Sequence, residues 1–332
     1  MRSAPFRFAI AAFAVFSLIL ATSSQAEELP GLQGHKRVIF LGDSITYSGQ
    51  YIDVLAAYLA VKYPGQKCEL INLGLPSETV SGLSEPGHAG GSFPRPDVHE
   101  RLGRVLEKTK PDLVVACYGM NCGMYYPPSK ERLEKFQSGI LRLREAAEKA
   151  GAKVLHITPP TFDPEPIKSR TLPAGQAEYR QPYVGYNEVL DEFTKWLLDQ
   201  RAKGWLVADL HGPMNAYLAE QRKTDPKFTL AGDGVHMNAT GHWLAAQQLL
   251  LALQGPEDEI KKAKSADELL KNYPHGQEVL KLTEQRNHLL RDSWLTATGH
   301  KRPGITPGLP VEEAEKKAAE LTARIKTVAA GK

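Results

Sequence analysis

Cysteine is scarce in this chain. Only Cys68, Cys117 and Cys122 occur in 332 residues. An odd number leaves at least one thiol unpaired, so a full disulfide framework is excluded. There is no C-x-x-C pair and no other metal-ligand spacing, and His236 and His242 lack the H-E-x-x-H pattern. No metal and no cofactor is therefore expected. The three cysteines read as small buried hydrophobes. Neither G-x-x-x-x-G-K-[ST] nor G-x-G-x-x-G is present, which leaves nucleotide use without support. G-x-S-x-G is missing as well, so the α/β-hydrolase elbow is excluded. Charge of one sign is not in excess: 41 Lys and Arg stand against 38 Asp and Glu. A nearly balanced chain has no long-range field to draw in nucleic acid or an anionic membrane.

Residues 1–26 read as a secretory signal. Arg2 and Arg7 form a positive start, Phe8 to Leu20 an apolar core, and Ser24-Gln25-Ala26 a small-x-Ala cleavage site. The apolar core is shorter than the roughly 20 residues a spanning helix needs, and no later run is apolar enough to span. No cysteine lies near the cleavage site, so a lipid anchor is not expected. The plainer alternative is an uncleaved anchor. Removing the two signal arginines leaves 39 basic against 38 acidic residues. The expectation is a secreted or periplasmic protein without stable membrane insertion, beginning at Glu27. N-terminal sequencing of exported protein checks this, and a retained Met1 in a membrane fraction would refute it.

Five short apolar runs recur, at Arg37–Leu41, Cys68–Leu73, Asp112–Tyr118, Lys153–Ile157 and Trp205–Leu210. Amphipathic helical patterns lie between them, at about 50–62, 97–109, 130–149 and 184–202, with a further one over 239–253. Strands alternating with helices predict an α/β fold with a five-stranded parallel sheet covered on both faces. Two connections, Leu75–Pro96 and Pro159–Pro182, are too long for turns, and both leave the C-terminal ends of strands. Gly255-Pro256 ends the alternation. The division is thus a signal over 1–26, a sheet domain over 27–254 and a helical C-terminal extension over 255–332. In the extension, a helical pattern over about 277–297 carries an apolar face including Trp294, an interruption lies at Arg291–Gly304, and an exposed helix follows from Pro310 to Ala330.

The chemistry-bearing residues sit at the ends of these elements. The apolar run Val38–Leu41 stops at Gly42-Asp43-Ser44, which places Ser44 at a strand-to-helix turn on the ligand-binding edge. A serine hydroxyl attacks only when a base takes its proton, usually a histidine held in one tautomer by a carboxylate. Asp233-Gly234-Val235-His236 supplies both groups. The developing oxyanion needs donors; the candidates are the Ser44 N–H, the Gly74 N–H and the Asn121 side-chain amide. Each has a bland reading: Asp43 and Ser44 as a helix cap, Gly74 as a turn, Asn121 as a loop residue, Asp233 and His236 as a cap region. Asp43, His211 and His242 read as structural.

Four blocks, Phe40-Leu41-Gly42-Asp43-Ser44-Ile45-Thr46, Ile71-Asn72-Leu73-Gly74, Tyr118-Gly119-Met120-Asn121 and Asp233-Gly234-Val235-His236, stand in order, and over about residues 37–253 the chain resembles the GDSL or SGNH hydrolase family. The resemblance implies a flavodoxin-like three-layer α/β/α fold, a serine esterase with Ser44 as nucleophile, Asp233 and His236 completing the triad, Ser44, Gly74 and Asn121 as the oxyanion hole, and no metal. The chain departs from the family in carrying Cys122 where Asp often follows the asparagine. Polar, aromatic-bearing loops point to a small-molecule or polysaccharide ester as substrate, first of all an acetylated carbohydrate that the enzyme would deacetylate. Arg95, Arg180, Tyr183 and Trp294 are the candidate substrate contacts. The alternatives are a lysophospholipase, short-chain lipase or thioesterase on the same machinery, or a non-catalytic carbohydrate-binding protein.

Overall fold

The computed structural model describes residues 27–331; the expected signal at 1–26 lies outside them. Five short strands form one parallel sheet: β1 (Arg37–Gly42), β2 (Glu69–Asn72), β3 (Leu113–Cys117), β4 (Lys153–Ile157) and β5 (Leu206–Ala208), in the order β2-β1-β3-β4-β5. Each reads as a near-continuous apolar run because both faces are covered. Every residue of β3, for example, is buried. The order reverses between β1 and β3, whose last residues Gly42 and Cys117 lie side by side. In parallel sheets the crevice for ligands opens at that reversal, beyond the carboxyl ends of the strands.

The helices of the sheet domain are α1 (Ser44–Ser48), α2 (Gln50–Lys62), α3 (Val98–Thr109), α4 (Lys130–Lys149), α5 (Tyr186–Asp199), α6 (His211–Arg222) and α7 (Ala239–Ala252). α2 packs on α7, while α3, α4 and α5 pack in succession, which builds the two helical layers of an α/β/α sandwich. The starts are chemically marked. Asp43, Asp97, Ser129 and Asn238 each precede a helix and accept a backbone N–H from its first turn. α6 is absent from the sequence expectation. His211-Gly212-Pro213 reads as a turn, and Met214 and Leu218 are its only buried apolar residues, too few for a periodic signal.

Beyond residue 254 come α8 (Glu257–Lys262), α9 (Ala266–Leu270), α10 (Gly276–Thr298) and α11 (Val311–Ala329). The expected interruption from Arg291 is corrected: α10 runs on to Thr298 and stops at Gly299, whose φ is +71°. α11 is not a bare exposed helix either. Its small residues Ala314 and Ala318, with Ile325 and Val328, are buried, and α10 is its main neighbour. α10 also touches α2, β2 and α3, and so closes the β2 edge of the sheet.

Polar contacts tie α10 to α1 and α2. Asn287 donates to the buried Asp53 carboxylate (2.7 Å), and Arg291 donates to the Tyr47 carbonyl (2.9 Å) with its guanidinium 4.0 Å above the Tyr47 ring. Burial pushes the Asp53 carboxyl up to about 7, against the Asn287 hydrogen bond.

Trp294, a candidate substrate contact, faces elsewhere and serves as part of a structural brace. It is buried, and its ring meets the Arg37 guanidinium at 5.6 Å. Arg37 opens β1, the opposite end of the strand from Ser44. An indole that large needed apolar cover, and the sheet edge provides it. Trp294→Ala is expected to cost about 3–5 kcal/mol of stability and to leave esterase kcat/KM unchanged; thermal denaturation beside steady-state kinetics on the folded variant checks both.

Candidate active site

Ser44 is the first residue of α1, directly after β1, so its backbone N–H stands at the positive end of a helix. Its Oγ lies 2.8 Å from His236 Nε2. His236 Nδ1 lies 2.6 Å from Asp233 Oδ2. A carboxylate can only accept, so Nδ1 carries the proton and Nε2 is free to accept from Ser44. The Asp233–His236 pair is local. Asp233 Oδ1 accepts the backbone N–H groups of Val235 (3.0 Å) and His236 (2.7 Å), winding the loop so that Oδ2 meets the ring. Partial burial pulls the Asp233 carboxyl up, but the hydrogen bonds from His236 and Val235 outweigh it and hold the group below its usual range. The arrangement can draw the proton from Ser44 and hold the resulting imidazolium against a charge. It is also open: the His236 and Asp233 side chains are 54% and 51% exposed.

The loop carrying this pair is held by residues that sequence reasoning passed over. Asp163, buried after β4, accepts both a forked pair of hydrogen bonds from Arg222 Nη2 (2.9 and 2.7 Å) and one from Thr229 Oγ1 (2.8 Å). The Asp163 N–H donates to the Gly234 carbonyl. Arg222 closes α6, so the unexpected helix supports the acid–base loop.

Of the expected oxyanion donors, Asn121 is buried on the turn after β3, a strand whose end lies beside the end of β1 that leads into Ser44. Its Oδ1 accepts from Arg95 Nη1 (2.9 Å) and Tyr125 Oη (3.2 Å), which turns Nδ2 the other way, where it meets only the Glu78 carbonyl at 3.4 Å. Cys122, the departure from the family pattern, is fully buried. Gly74 requires correction. Its N–H already donates to Asn72 Oδ1 (2.9 Å), so it has no hydrogen left for a ligand. It is a glycine because a Cβ would sit 2.3 Å from the Tyr47 nitrogen. The strand end and the nucleophile turn pack backbone to backbone there.

Three residues on, Ser77 is the better candidate. It has φ +70°, a left-handed conformation that costs a non-glycine residue energy. Leu75 N–H donates to Gly42 O on one side of it, and Glu78 O meets Asn121 on the other, which places Ser77 between the nucleophile turn and the amide. It is partly exposed, and among the described residues its N–H has no backbone partner. The sequence signal for it was absent, since no glycine marks the position.

The remaining expected contacts are placed as follows. Arg95 is buried and fully engaged, with Nε and Nη2 forked onto Glu85 at 2.7 Å each, so it is not free to meet substrate. Arg180 is exposed and pairs with Glu178. Tyr183 is half-buried; its N–H donates to the Tyr125 carbonyl (2.8 Å) and its hydroxyl turns to Glu188 (3.3 Å). Asp43 caps α1 through the Ile45 N–H, and burial pushes its carboxyl up to about 6. His242 holds Ser48 Oγ (3.1 Å); burial, with the nearby His236, brings it down to about 4. His211 is buried between Asp191 and the Pro159 carbonyl. Among the described residues no cluster of His, Cys, Asp and Glu could hold a metal, and no helix is long and apolar enough to cross a membrane.

On a parallel sheet of this order, a serine, a histidine and a carboxylate in such a relay mark a serine hydrolase. Sequence narrows the class. The model of the GDSL-like Lipase/Acylhydrolase family matches residues 40–244, and the chain belongs to that family of serine esterases. No curated protein matches it in sequence. Among solved structures it is similar to a gut microbial diltiazem-metabolizing enzyme, with 15% identity, a TM-score of 0.60, and 89% of this chain and 95% of that one covered. That share of this chain exceeds residues 1–254, so the likeness of fold takes in part of the C-terminal extension. It is also similar to an acetylxylan esterase from Geobacillus stearothermophilus (20% identity, TM-score 0.49, 67% and 95% covered) and to the acetyl xylan esterase AlAXEase (21%, 0.46, 65% and 98%).

If the backbone of residue 77 and not its side chain serves the site, Ser77→Gly should retain kcat while relieving the left-handed strain, stabilising the fold by about 0.5–1 kcal/mol. Chemical denaturation and kinetics check this, and a large loss of kcat would show that the hydroxyl is needed.

Proposed function

We propose that this esterase works through an acyl-enzyme on Ser44 and that its ester is a short acyl group, acetyl first, on a carbohydrate hydroxyl. The observation that carries the mechanism is the unbroken relay Ser44 Oγ, His236 Nε2, His236 Nδ1, Asp233 Oδ2. Ser44 Oγ bonds to the ester carbonyl carbon as His236 Nε2 takes its proton. The carbonyl oxygen becomes an oxyanion, received by the Ser44 and Ser77 N–H groups and Asn121 Nδ2. Collapse breaks the bond to the alkoxy oxygen, which leaves as alcohol with the proton from His236. Water then repeats the sequence on the acyl-enzyme, releasing the carboxylic acid and restoring Ser44.

Two features support a carbohydrate over a lipid. The relay is open to solvent, as a bulky polar substrate requires. The adjoining rim is polar and aromatic: Tyr126 lies against Tyr179 and Tyr179 against Tyr183, with ring centroids 5.5 and 6.2 Å apart, and Glu178 and Arg180 stand in water beside them. Partly exposed tyrosines suit the faces of sugar rings and offer hydroxyls to their edges. An enzyme for long acyl chains would need an apolar rim instead.

On p-nitrophenyl esters of graded length the protein should favour acetate, and a fluorophosphonate should label Ser44 alone. Ser44→Ala should fold normally, lose nearly all activity and escape the label. Labelling elsewhere with activity kept in Ser44→Ala would refute the mechanism, while preference for long chains would refute the substrate class and favour the lipase reading.

A further inference from the structure

We propose that Arg95 is a positioning residue for the oxyanion, acting through the amide of Asn121, with Glu85 holding it in place. The inference rests on the reading of Asn121 as an oxyanion donor. An asparagine amide can present either its oxygen or its nitrogen to a ligand, and rotation by half a turn would set an acceptor against the growing negative charge. Two donors exclude that orientation here. Arg95 Nη1 and Tyr125 Oη both point at Oδ1, at 2.9 and 3.2 Å. The Arg95 contact is charge-assisted, which makes it the stronger and shorter kind.

Arg95 is itself constrained on every side. Its Nε and Nη2 fork onto the two Glu85 oxygens at 2.7 Å each, its backbone N–H donates to Ser84 Oγ (2.8 Å), and its guanidinium lies 5.4 Å from the centre of the Tyr125 ring. The side chains of Arg95 and Glu85 are only 6% and 16% exposed. Such a pair is expensive to bury and gains little stability over an apolar replacement. Here it sets a fixed cation on the oxygen of the amide whose nitrogen is the proposed oxyanion donor. A cation on the amide oxygen draws electron density from nitrogen, so the Nδ2 hydrogens become stronger donors. The positive charge also lies one amide away from the place where negative charge develops, within a poorly solvated loop. Both effects grow as the oxyanion forms and barely touch the neutral ester. They therefore belong in kcat and not in KM.

The test uses the full chain, p-nitrophenyl acetate and five variants: Arg95→Gln, Arg95→Lys, Glu85→Gln, Asn121→Ala and the double variant Arg95→Gln/Asn121→Ala. Losing one oxyanion donor typically lowers kcat about 10²–10³-fold, and this is expected for Asn121→Ala. Arg95→Gln should lower kcat about 10–100-fold with KM within about twofold, and slow fluorophosphonate labelling of Ser44 in parallel. Arg95→Lys should restore part of the loss, because the charge remains and the fork does not. Glu85→Gln loosens Arg95 without removing it, and should lose kcat several-fold even if Arg95→Gln folds poorly. If Arg95 acts through Asn121, the double variant is no slower than Asn121→Ala alone. Losses that multiply would overturn the proposal, as would an unchanged kcat in Arg95→Gln or Glu85→Gln while Asn121→Ala is impaired. An unchanged kcat in Asn121→Ala would remove the oxyanion reading itself, and the role of Arg95 with it.

Discussion

The parallel pairing of β1 with β3 is the constraint on which the site depends. It sets Gly42 beside Cys117, so the turns that follow leave the sheet at one edge and one height. Ser44 comes off the first turn and Asn121 off the second. β2 and β4 flank this pair and send their own loops, 73–97 and 158–185, to the same edge. Because all the strands point one way, residues far apart in the chain become neighbours without a long connection having to find its way there. The same geometry leaves the opposite edge with Arg37 and Trp294, where packing and not chemistry decides the residue.

Around that edge the loops are fixed by buried charge. Glu78 and Arg101 form a fully buried pair; Arg101 also reaches the Leu73 carbonyl (2.6 Å), and Tyr118 donates to Glu78 (2.6 Å). This ties the loop after β2 to α3 and to the end of β3, under Ser77. Burial pushes the Glu78 carboxyl up, with Arg101 and Tyr118 pulling against it. Arg95 with Glu85, and Arg222 with Asp163, repeat the device under Asn121 and under the acid–base loop. Ion pairs of this kind contribute little net stability. What they supply is a single geometry for segments that have no strand or helix of their own. An open site with half-exposed catalytic groups needs that, since no cavity wall confines its loops.

The C-terminal extension belongs to the same scheme. α10 covers the β2 edge, which would otherwise offer unpaired backbone groups to another chain. It also places Arg291 on the Tyr47 carbonyl, a cation at the C-terminal end of the helix that begins with Ser44. The extension thus braces the nucleophile turn from behind while its large aromatic residue is spent on packing.

Periodicity and a few local groups determined much of this protein. Lys153–Ile157 and the helix over 130–149 can be read to the residue, because a run buried on both faces and a helix opened by a capping serine announce themselves locally. The Asp233–His236 pair is equally local, since a carboxylate three residues before the ring can wind its own loop. The tertiary structure decided everything that rests on which distant segment fills a hydrogen bond. Gly74 is a glycine for the sake of Tyr47, and its N–H goes to Asn72, while the Ser77 N–H has no backbone partner among the described residues and no glycine advertises it. Arg95 has the look of a substrate contact until Glu85 and Asn121 are seen to occupy it. Trp294 sits on a helix whose apolar face is plain in sequence, but only the docking of α10 on β2 says which end of the sheet it covers. A sequence shows what a group can bond to. Which partner it meets is set by the close approach of loops, and that depends on the packing of the whole sheet.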